Sequence, residues 1–388
     1  MKGLFRSETF AGFGPASLSL ASEPVAITTI RGRRPSLLRQ GVREQAPRLP
    51  GVYGMLDATG ELIYVGKARS LRSRLMSYFR PKSRDEKAGK IVAETRRIVW
   101  ERSPTEFGAL LRELELIRRW QPRWNVQGKP KRMRRVYICV GRSPAAYLFL
   151  APKPTTRVHT CFGPVAGMKR AAEAVRRLND WYRLRDCPQS QVMVFADQLE
   201  LFPVVRAPGC IRHDIGNCVA PCAAACTQAE YSFHVAGAVD FLEGRDRTPL
   251  EQLERQMDEA SVALEFERAA LLRDRLKNLT WLRNHLERLR ESSRESFVYP
   301  VMSADGTPLW YLVRAGVVRA VIPAPIDEIG RYRASAKLAE VFTHDTQPRP
   351  VGLDEVDGLL LVSAWFRRHK QEAKMSIEAA KLALDAQG

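Results

Sequence analysis

Negative charge is scarce in this chain of 388 residues: 43 acidic residues stand against 62 Lys and Arg, a formal net charge of +19. That surplus favours a polyanionic partner, nucleic acid first, and predicts salt-sensitive binding. A basic protein that is merely soluble is the plain alternative. Long apolar runs are also missing. None approaches the roughly 18 residues a spanning helix needs, so a membrane span is excluded. The apolar stretches before residue 47 are too short and broken for a secretory signal. Residues 1–46, small and polar and then Arg-rich at Arg31-Gly32-Arg33-Arg34-Pro35, read as a disordered basic tail. The seven cysteines are an odd number and sit mostly between 187 and 226. Without a secretion signal they argue against a disulfide framework and for metal or cluster ligation in a reducing, cytoplasmic compartment.

The length suffices for two or three domains. The most informative stretch lies between Leu49-Pro50-Gly51-Val52-Tyr53 and Ile63-Tyr64-Val65-Gly66-Lys67. It reads as a strand, a turn at Asp57 to Gly60, and a second strand, which puts two phenols on neighbouring strands. Ser70 can cap a helix that projects Arg74 and Tyr78 from one face. Ile98 to Glu101 reads as a third strand. Ser103-Pro104-Thr105-Glu106 has capping-box spacing with proline at the first helical position, predicting a helix to Trp120 that ends before Pro122. On a helical wheel Phe107, Leu110, Leu111, Leu114 and Ile117 form its buried stripe, with Arg112, Glu115 and Arg119 toward solvent. Glu113 falls on the inner arc, where a carboxylate is costly unless paired. A lysine or arginine partner would explain it structurally, a divalent metal functionally. Phenol, lysine, arginine and one carboxylate in a basic chain suggest phosphodiester chemistry.

Further on, Lys131, Arg132, Arg134 and Arg135 form a basic hinge suited to a DNA backbone or simply to solvent. Cys187, Cys210, Cys218 and Cys222 follow, the last two close enough for one loop to offer both thiolates. Four soft thiolates suit zinc or an iron–sulfur cluster, and spacing does not separate the two. Residues 249–290 are helical, with one apolar stripe through Leu250, Leu253, Met257, Ala260 and Leu264 and a second starting at Phe266, so an antiparallel helical pair is expected. Residues 296–322 alternate like a small antiparallel sheet, and 359–368 read as a helix. The architecture is therefore α+β, divided at about 1–46, 47–128, 129–235, 245–291 and 294–388.

Residues 49–125 resemble the GIY-YIG nuclease domain in the form carried by the UvrC family of excinucleases. The signature triplets stand as Gly51-Val52-Tyr53 and Tyr64-Val65-Gly66. Lys67 to Leu75 is similar to the family helix with its arginine at Arg74, Glu113 to the metal-binding glutamate, and Pro122-Arg123-Trp124-Asn125 to the closing motif. The resemblance implies a small three-stranded antiparallel sheet with flanking helices. It also implies Mg²⁺ or Mn²⁺ on Glu113 and hydrolysis of one DNA strand, with Tyr64 as base for the attacking water. A free phenol ionises only near pH ~10, so it needs the metal, Lys67 or Arg74 close by. Arg74 would stabilise the transition state with planar donors, while Tyr53, Tyr78 and Asn125 would position the reacting groups.

The likeness continues through Leu184-Arg185-Asp186-Cys187 and Asn217-Cys218-Val219-Ala220-Pro221-Cys222, which in the family are associated with a [4Fe–4S] cluster. The gap from Cys187 to Cys210 is longer than the usual pattern and Cys226 is extra, so the first ligand is open. Met257 to Asp274 resembles the UVR motif, which implies docking on the damage-loading excinuclease helicase through Phe266 and its neighbours. No aspartate set for the family's second nuclease is recognisable, which makes the chain similar to the single-nuclease, Cho-type members. The implied activity is one nick on the 3′ side of a lesion in damaged duplex DNA. Two rivals stand beside it: a non-catalytic adaptor between DNA and the helicase, and a helper-independent nuclease for branched DNA.

Overall fold

The computed structural model describes residues 10–18, 26–80, 86–125, 135–154, 158–188, 190–198, 210–343 and 351–378. Two compact units emerge, one made of residues 1–132, 292–346 and 357–388, the other of 133–291 and 347–356.

The first unit begins with β1 (Thr28–Arg31) and α1 (Pro35–Gln45), then β2 (Gly51–Leu56), β3 (Leu62–Ala68), α2 (Leu71–Ser77), α3 (Glu86–Glu94), β4 (Arg97–Arg102) and α4 (Glu106–Trp120). Its sheet has the order β1-β4-β2-β3, antiparallel throughout. The expected three strands form the body, and β1 adds a fourth along β4. The supposed tail is thus structured where it is described. Ile30, Leu38 and Val42 enter the core around Tyr53 and Trp100, and Phe10 and Phe13 pack with Ala109, Leu116 and Ile117 of α4. Composition hid this because a few apolar side chains, spread among Ser, Gly and Arg, carry most of the burial among the described residues.

The turn forms as read. Asp57 Oδ1 accepts the Thr59 and Glu61 amides, and Gly60 takes a positive φ of 83°. Ser70 caps α2 through the Ser73 amide. The start of α4 differs from expectation: Thr105, not Ser103, is the cap, its hydroxyl accepting the Gly108 amide at 2.9 Å. Pro104 remains outside the helix, and its carbonyl accepts the Ala304 amide.

The burial of α4 also differs. Arg112, expected toward solvent, is 7% exposed. Its guanidinium bonds Glu101 at 2.7 Å and the carbonyls of Gly14 and Pro15. The N-terminal segment covers the face that a wheel drawn for one partner leaves open. Leu110 and Leu111 pack instead on a second sheet, which belongs to the same unit.

That sheet contains β8 (Phe297–Met302), β9 (Pro308–Arg314), β10 (Val317–Pro323) and β11 (Ile377–Glu378), in the order β10-β9-β8-β11. Period-two alternation splits its faces. Tyr299, Tyr311 and Val313 meet Phe107 of α4 with Val362 and Trp365 of α11 (Val356–Arg368). Val298 and Leu312 meet Leu338 and Val341 of α10 (Glu328–Phe342), a helix that the sequence pattern did not announce. The short α12 (Lys370–Lys374) follows α11.

In the second unit β5 (Arg135–Val140) lies between β6 (Leu148–Ala151) and β7 (Thr160–Ala166). The segment Phe162-Gly163-Pro164 is part of β7, which leads directly into a helix. Helices α5 (Met168–Trp181), α6 (Ile211–Asp214) and α7 (Gln228–Leu242) follow. The helical pair is present as α8 (Thr248–Val262) and α9 (Phe266–Arg294). Leu250, Leu253, Ala260, Leu272 and Leu279 face the unit's main core. Leu264 does not continue the stripe. It occupies the turn between the helices with φ 59° and is 71% exposed.

Candidate active site

Register explains why the two triplets need these residues. Tyr53 lies opposite Gly66, and Tyr64 opposite Met55, so the two phenols share one face two places apart. A Cβ on Gly66 would run into the Tyr53 phenol, and one on Gly51 into the Glu101 carbonyl. Glycine at 66 therefore makes room for the Tyr53 ring. That ring contacts Tyr64 and Tyr78, with centroids 6.2 and 6.0 Å away, and its hydroxyl lies 2.9 Å from that of Tyr78.

The three phenols are unequal. Tyr53 and Tyr78 are 0% and 8% exposed. Burial, with Tyr64 beside it, pushes the Tyr53 hydroxyl well above the ordinary phenol range. Burial and then Tyr53 do the same to Tyr78. Tyr64 is partly exposed and, with Tyr53, lines an open cavity of about 770 Å³ that also takes in Gly66, Lys67, Arg74 and Glu113. Lys87 of α3 sits 5.9 Å from the centre of its ring.

Arg74 reaches the cavity from α2. Its Nε donates to the Tyr53 hydroxyl at 3.3 Å and its guanidinium lies 5.2 Å from the Tyr78 ring centre. Tyr53 and, secondarily, Tyr78 raise its pKa further above its ordinary value. Among the described residues its terminal nitrogens bond nothing, which leaves them available to an oxyanion.

Glu113 comes from α4. Its Oε1 accepts the Lys67 amide at 3.1 Å. The Lys67 ammonium does not pair with it but holds Glu106 at 2.6 Å. Among the described residues Glu113 has no ion-pair partner, so the structural explanation by a basic neighbour is not what the geometry provides. Burial pushes its carboxyl above the usual range, against the lowering pull of the Lys67 amide and the Lys67 and Arg74 charges. One half-buried carboxylate at an open cavity fits a magnesium ion that keeps most of its waters. No group of three or more His, Cys, Asp or Glu able to hold a metal occurs among the described residues. Asn125 is elsewhere: its amide brackets Val65, accepting from the backbone N–H at 2.9 Å and donating to the carbonyl at 2.8 Å. It holds β3 and does not line the cavity. Arg48 and Arg69, which do, escape a reading of the sequence because no periodicity marks a loop arginine.

Comparison with known proteins bears on this geometry. Residues 49–126 match the family described as the UvrC-like GIY-YIG domain, 136–241 the UvrC/Cho excinuclease middle domain, and 247–279 the UvrB/uvrC motif. UvrABC system protein C of Chelativorans sp. (strain BNC1) is 32% identical over 348 residues, covering 88% of this chain and 52% of that protein. The Rhizobium meliloti (strain 1021) protein of the same name is 33% identical, covering 66% and 36%. This chain belongs to the UvrC family. It spans about half or less of the length of these UvrC relatives. The GIY-YIG N-terminal endonuclease domain of UvrC from Thermotoga maritima, solved bound to its catalytic divalent cation, magnesium, is 35% identical. It aligns with 23% of this chain and 96% of its own, at a TM-score of 0.21.

In the middle region of this UvrC-family chain, Cys187, Cys210, Cys218 and Cys222 line one cavity of about 100 Å³ together with Arg185, Arg212 and His213. Burial raises the Cys218 and Cys222 thiols, and neighbouring thiols raise them further. Cys226 stands apart in the apolar core, pushed up to about 11 by burial. Cys139 and Cys161 pair across β5 and β7, away from the others. At the far end of the helical pair Val262, Leu264 and Phe266 are exposed together. Of the basic hinge, Lys131, Arg132 and Arg134 lie outside the described residues. Arg135 opens β5. No described helix is long and apolar enough to cross a membrane.

Proposed function

We propose that this chain is a metal-dependent DNA endonuclease of nucleotide excision repair. It would act in the cytoplasm and hydrolyse one phosphodiester on the 3′ side of a lesion. The observation that carries the reading is the convergence of Tyr64, Arg74 and an ion-pair-free Glu113 on one open cavity. Glu113 would hold the divalent cation, which supplies Lewis-acid stabilisation of charge building on the phosphate. Tyr64 is the base for the attacking water, because it alone of the three clustered phenols combines exposure with a place in the cavity. Tyr53 and Tyr78 keep their protons and orient Arg74. Arg74 then offers its free terminal nitrogens to the non-bridging oxygens, a planar fork that lysine does not replace. Asn125 positions the strand that bears Tyr64.

Cys187, Cys210, Cys218 and Cys222, which line one cavity but do not meet as a metal-holding group of three or more among the described residues, would supply the thiolates for a [4Fe–4S] cluster, with zinc as the other occupant of the same donors. A brown protein containing iron and sulfide is expected, and a colourless zinc-loaded one would reverse the choice. The excinuclease helicase UvrB is the proposed partner of the exposed hairpin end.

The deciding experiment is a nicking assay on lesion-bearing plasmid with magnesium, with and without UvrB. Glu113→Ala and Arg74→Ala are each expected to lose at least ~10²–10³-fold in rate while keeping DNA binding. Undiminished cleavage by Glu113→Ala would remove the metal assignment. Cleavage of flaps without any helper would favour the branched-DNA nuclease.

A further inference from the structure

A second basic surface lies in the unit that does not contain the proposed nuclease cavity, where α5 meets α9. It frames a cleft of about 450 Å³. Lys169, Arg170 and Arg177 enter from α5, and Arg275 and Lys277 from α9. Two acids share the cleft, and both are already engaged. Glu173 is held by Arg176 and Arg177, and Asp274 by Arg273. Lys169, Arg275 and Lys277 are exposed and have no ion-pair partner among the described residues. Arg170, also exposed, is held in place by its contacts: it lies 4.3 Å from the centre of the Trp281 ring and donates to Asn278 and to the Lys277 carbonyl. The cleft also takes in the first turn of α5, whose cap, Gly167, offers no side chain to the leading amides.

Like charges facing one another across two helices repel. Arg275 shows the strain, its pKa lowered by partial burial and then by the charges of Arg177 and Arg176. Packing that the fold makes unfavourable in the free protein becomes favourable when dense negative charge enters. Duplex DNA has that density, about one charge per ~1.7 Å of axis. An acidic protein surface, with scattered carboxylates, matches the four cations that have no acidic partner among the described residues, Lys169, Arg170, Arg275 and Lys277, less well.

We infer that the α5–α9 cleft of this chain is a docking surface for the sugar–phosphate backbone of duplex DNA, separate from the nuclease cavity. It holds DNA without reading its sequence, since its unpaired cations offer point charge or a guanidinium edge to phosphate.

The test measures equilibrium binding of the full chain to an undamaged duplex by fluorescence anisotropy, with chelator present so that nothing is cut. A combined variant, Lys169→Gln, Arg275→Gln and Lys277→Gln, touches only exposed side chains, and circular dichroism checks its fold. Its affinity is expected to fall about tenfold or more, with a salt slope shallower by about 3 between roughly 50 and 200 mM. A charge-keeping variant, Lys169→Arg, Arg275→Lys and Lys277→Arg, should bind like the parent. Unchanged affinity and slope in the glutamine variant would overturn the inference. So would unchanged DNA binding together with lost binding to an acidic protein partner. Because nothing is cut in this assay, it stands or falls independently of the nuclease reading.

Discussion

At the scale of single residues, the proposed nuclease cavity depends on what is left out as much as on what is present. Gly66 has no Cβ because the Tyr53 phenol occupies that space. Gly66→Ala should therefore push the ring aside, cost about 1–3 kcal/mol by overpacking, and depress nicking through Arg74, which bonds the Tyr53 hydroxyl. Thermal unfolding and a nicking assay on the same preparation check both effects. Glu113 makes a pH prediction. Its carboxyl titrates above the usual range in the fold because of burial. Its contribution to stability is therefore complete below the unfolded pKa, near ~4.3, and is lost as pH rises through the folded value. Glu113→Gln does not titrate, so without metal the variant should melt above the parent at neutral pH, and the gap should close on acidification. Magnesium should raise the melting temperature of the parent and leave the variant unmoved. A gap independent of pH would refute the assignment. The raised Glu101 is common to both proteins and cancels in the difference.

At the scale of elements, α4 has two loyalties. One side packs on its own sheet, and Phe107 at its first turn stands within a ring of aromatics, with Tyr299, Tyr311, Trp365 and Phe366 centroids 5.1 to 5.9 Å away. The Thr105 cap is itself bonded to the Tyr311 hydroxyl at 2.7 Å. The C-terminal sheet thereby anchors the turn that carries Glu106 and, two turns on, Glu113. Phe107→Ala should cost about 3–5 kcal/mol and uncouple the sheet from α4, seen as faster amide exchange across β8–β10. The sequence made the hairpin, the turn at Asp57, α2 and the end of α4 legible, since each rests on contacts within a few residues. It concealed the cap of α4, the burial of Arg112 and the role of Phe10 and Phe13. Each depends on a segment distant in the chain, Ala304 or Gly14 to Pro15, which no local period encodes. The inward Glu113 was legible because a carboxylate on an apolar arc is anomalous wherever its partner lies.

At the scale of the whole molecule, the proposed chemistry and the proposed recruiting surfaces fall in different segments. The proposed nuclease residues lie between 53 and 125, the four cysteines of one cavity between 187 and 222, and the hairpin end between 262 and 266. Substitutions at one should leave the others intact, since effects at sites with no shared partner add. The hairpin end gives the sharpest case. Val262 and Phe266 are 85% and 66% exposed, so they contribute little to folding. Apolar side chains left in water at the apex of a helical pair gain about 1.5–3 kcal/mol each when a partner fully buries them. Val262→Ser with Phe266→Ser should therefore weaken binding to the helicase UvrB by at least ~10-fold without moving the melting temperature. Unaided DNA binding by the α5–α9 cleft should persist, because Arg275 and Lys277 are untouched. Affinity for UvrB equal to that of the parent would place the docking surface elsewhere on the chain. A fall in melting temperature would show that these side chains serve the fold and not a partner.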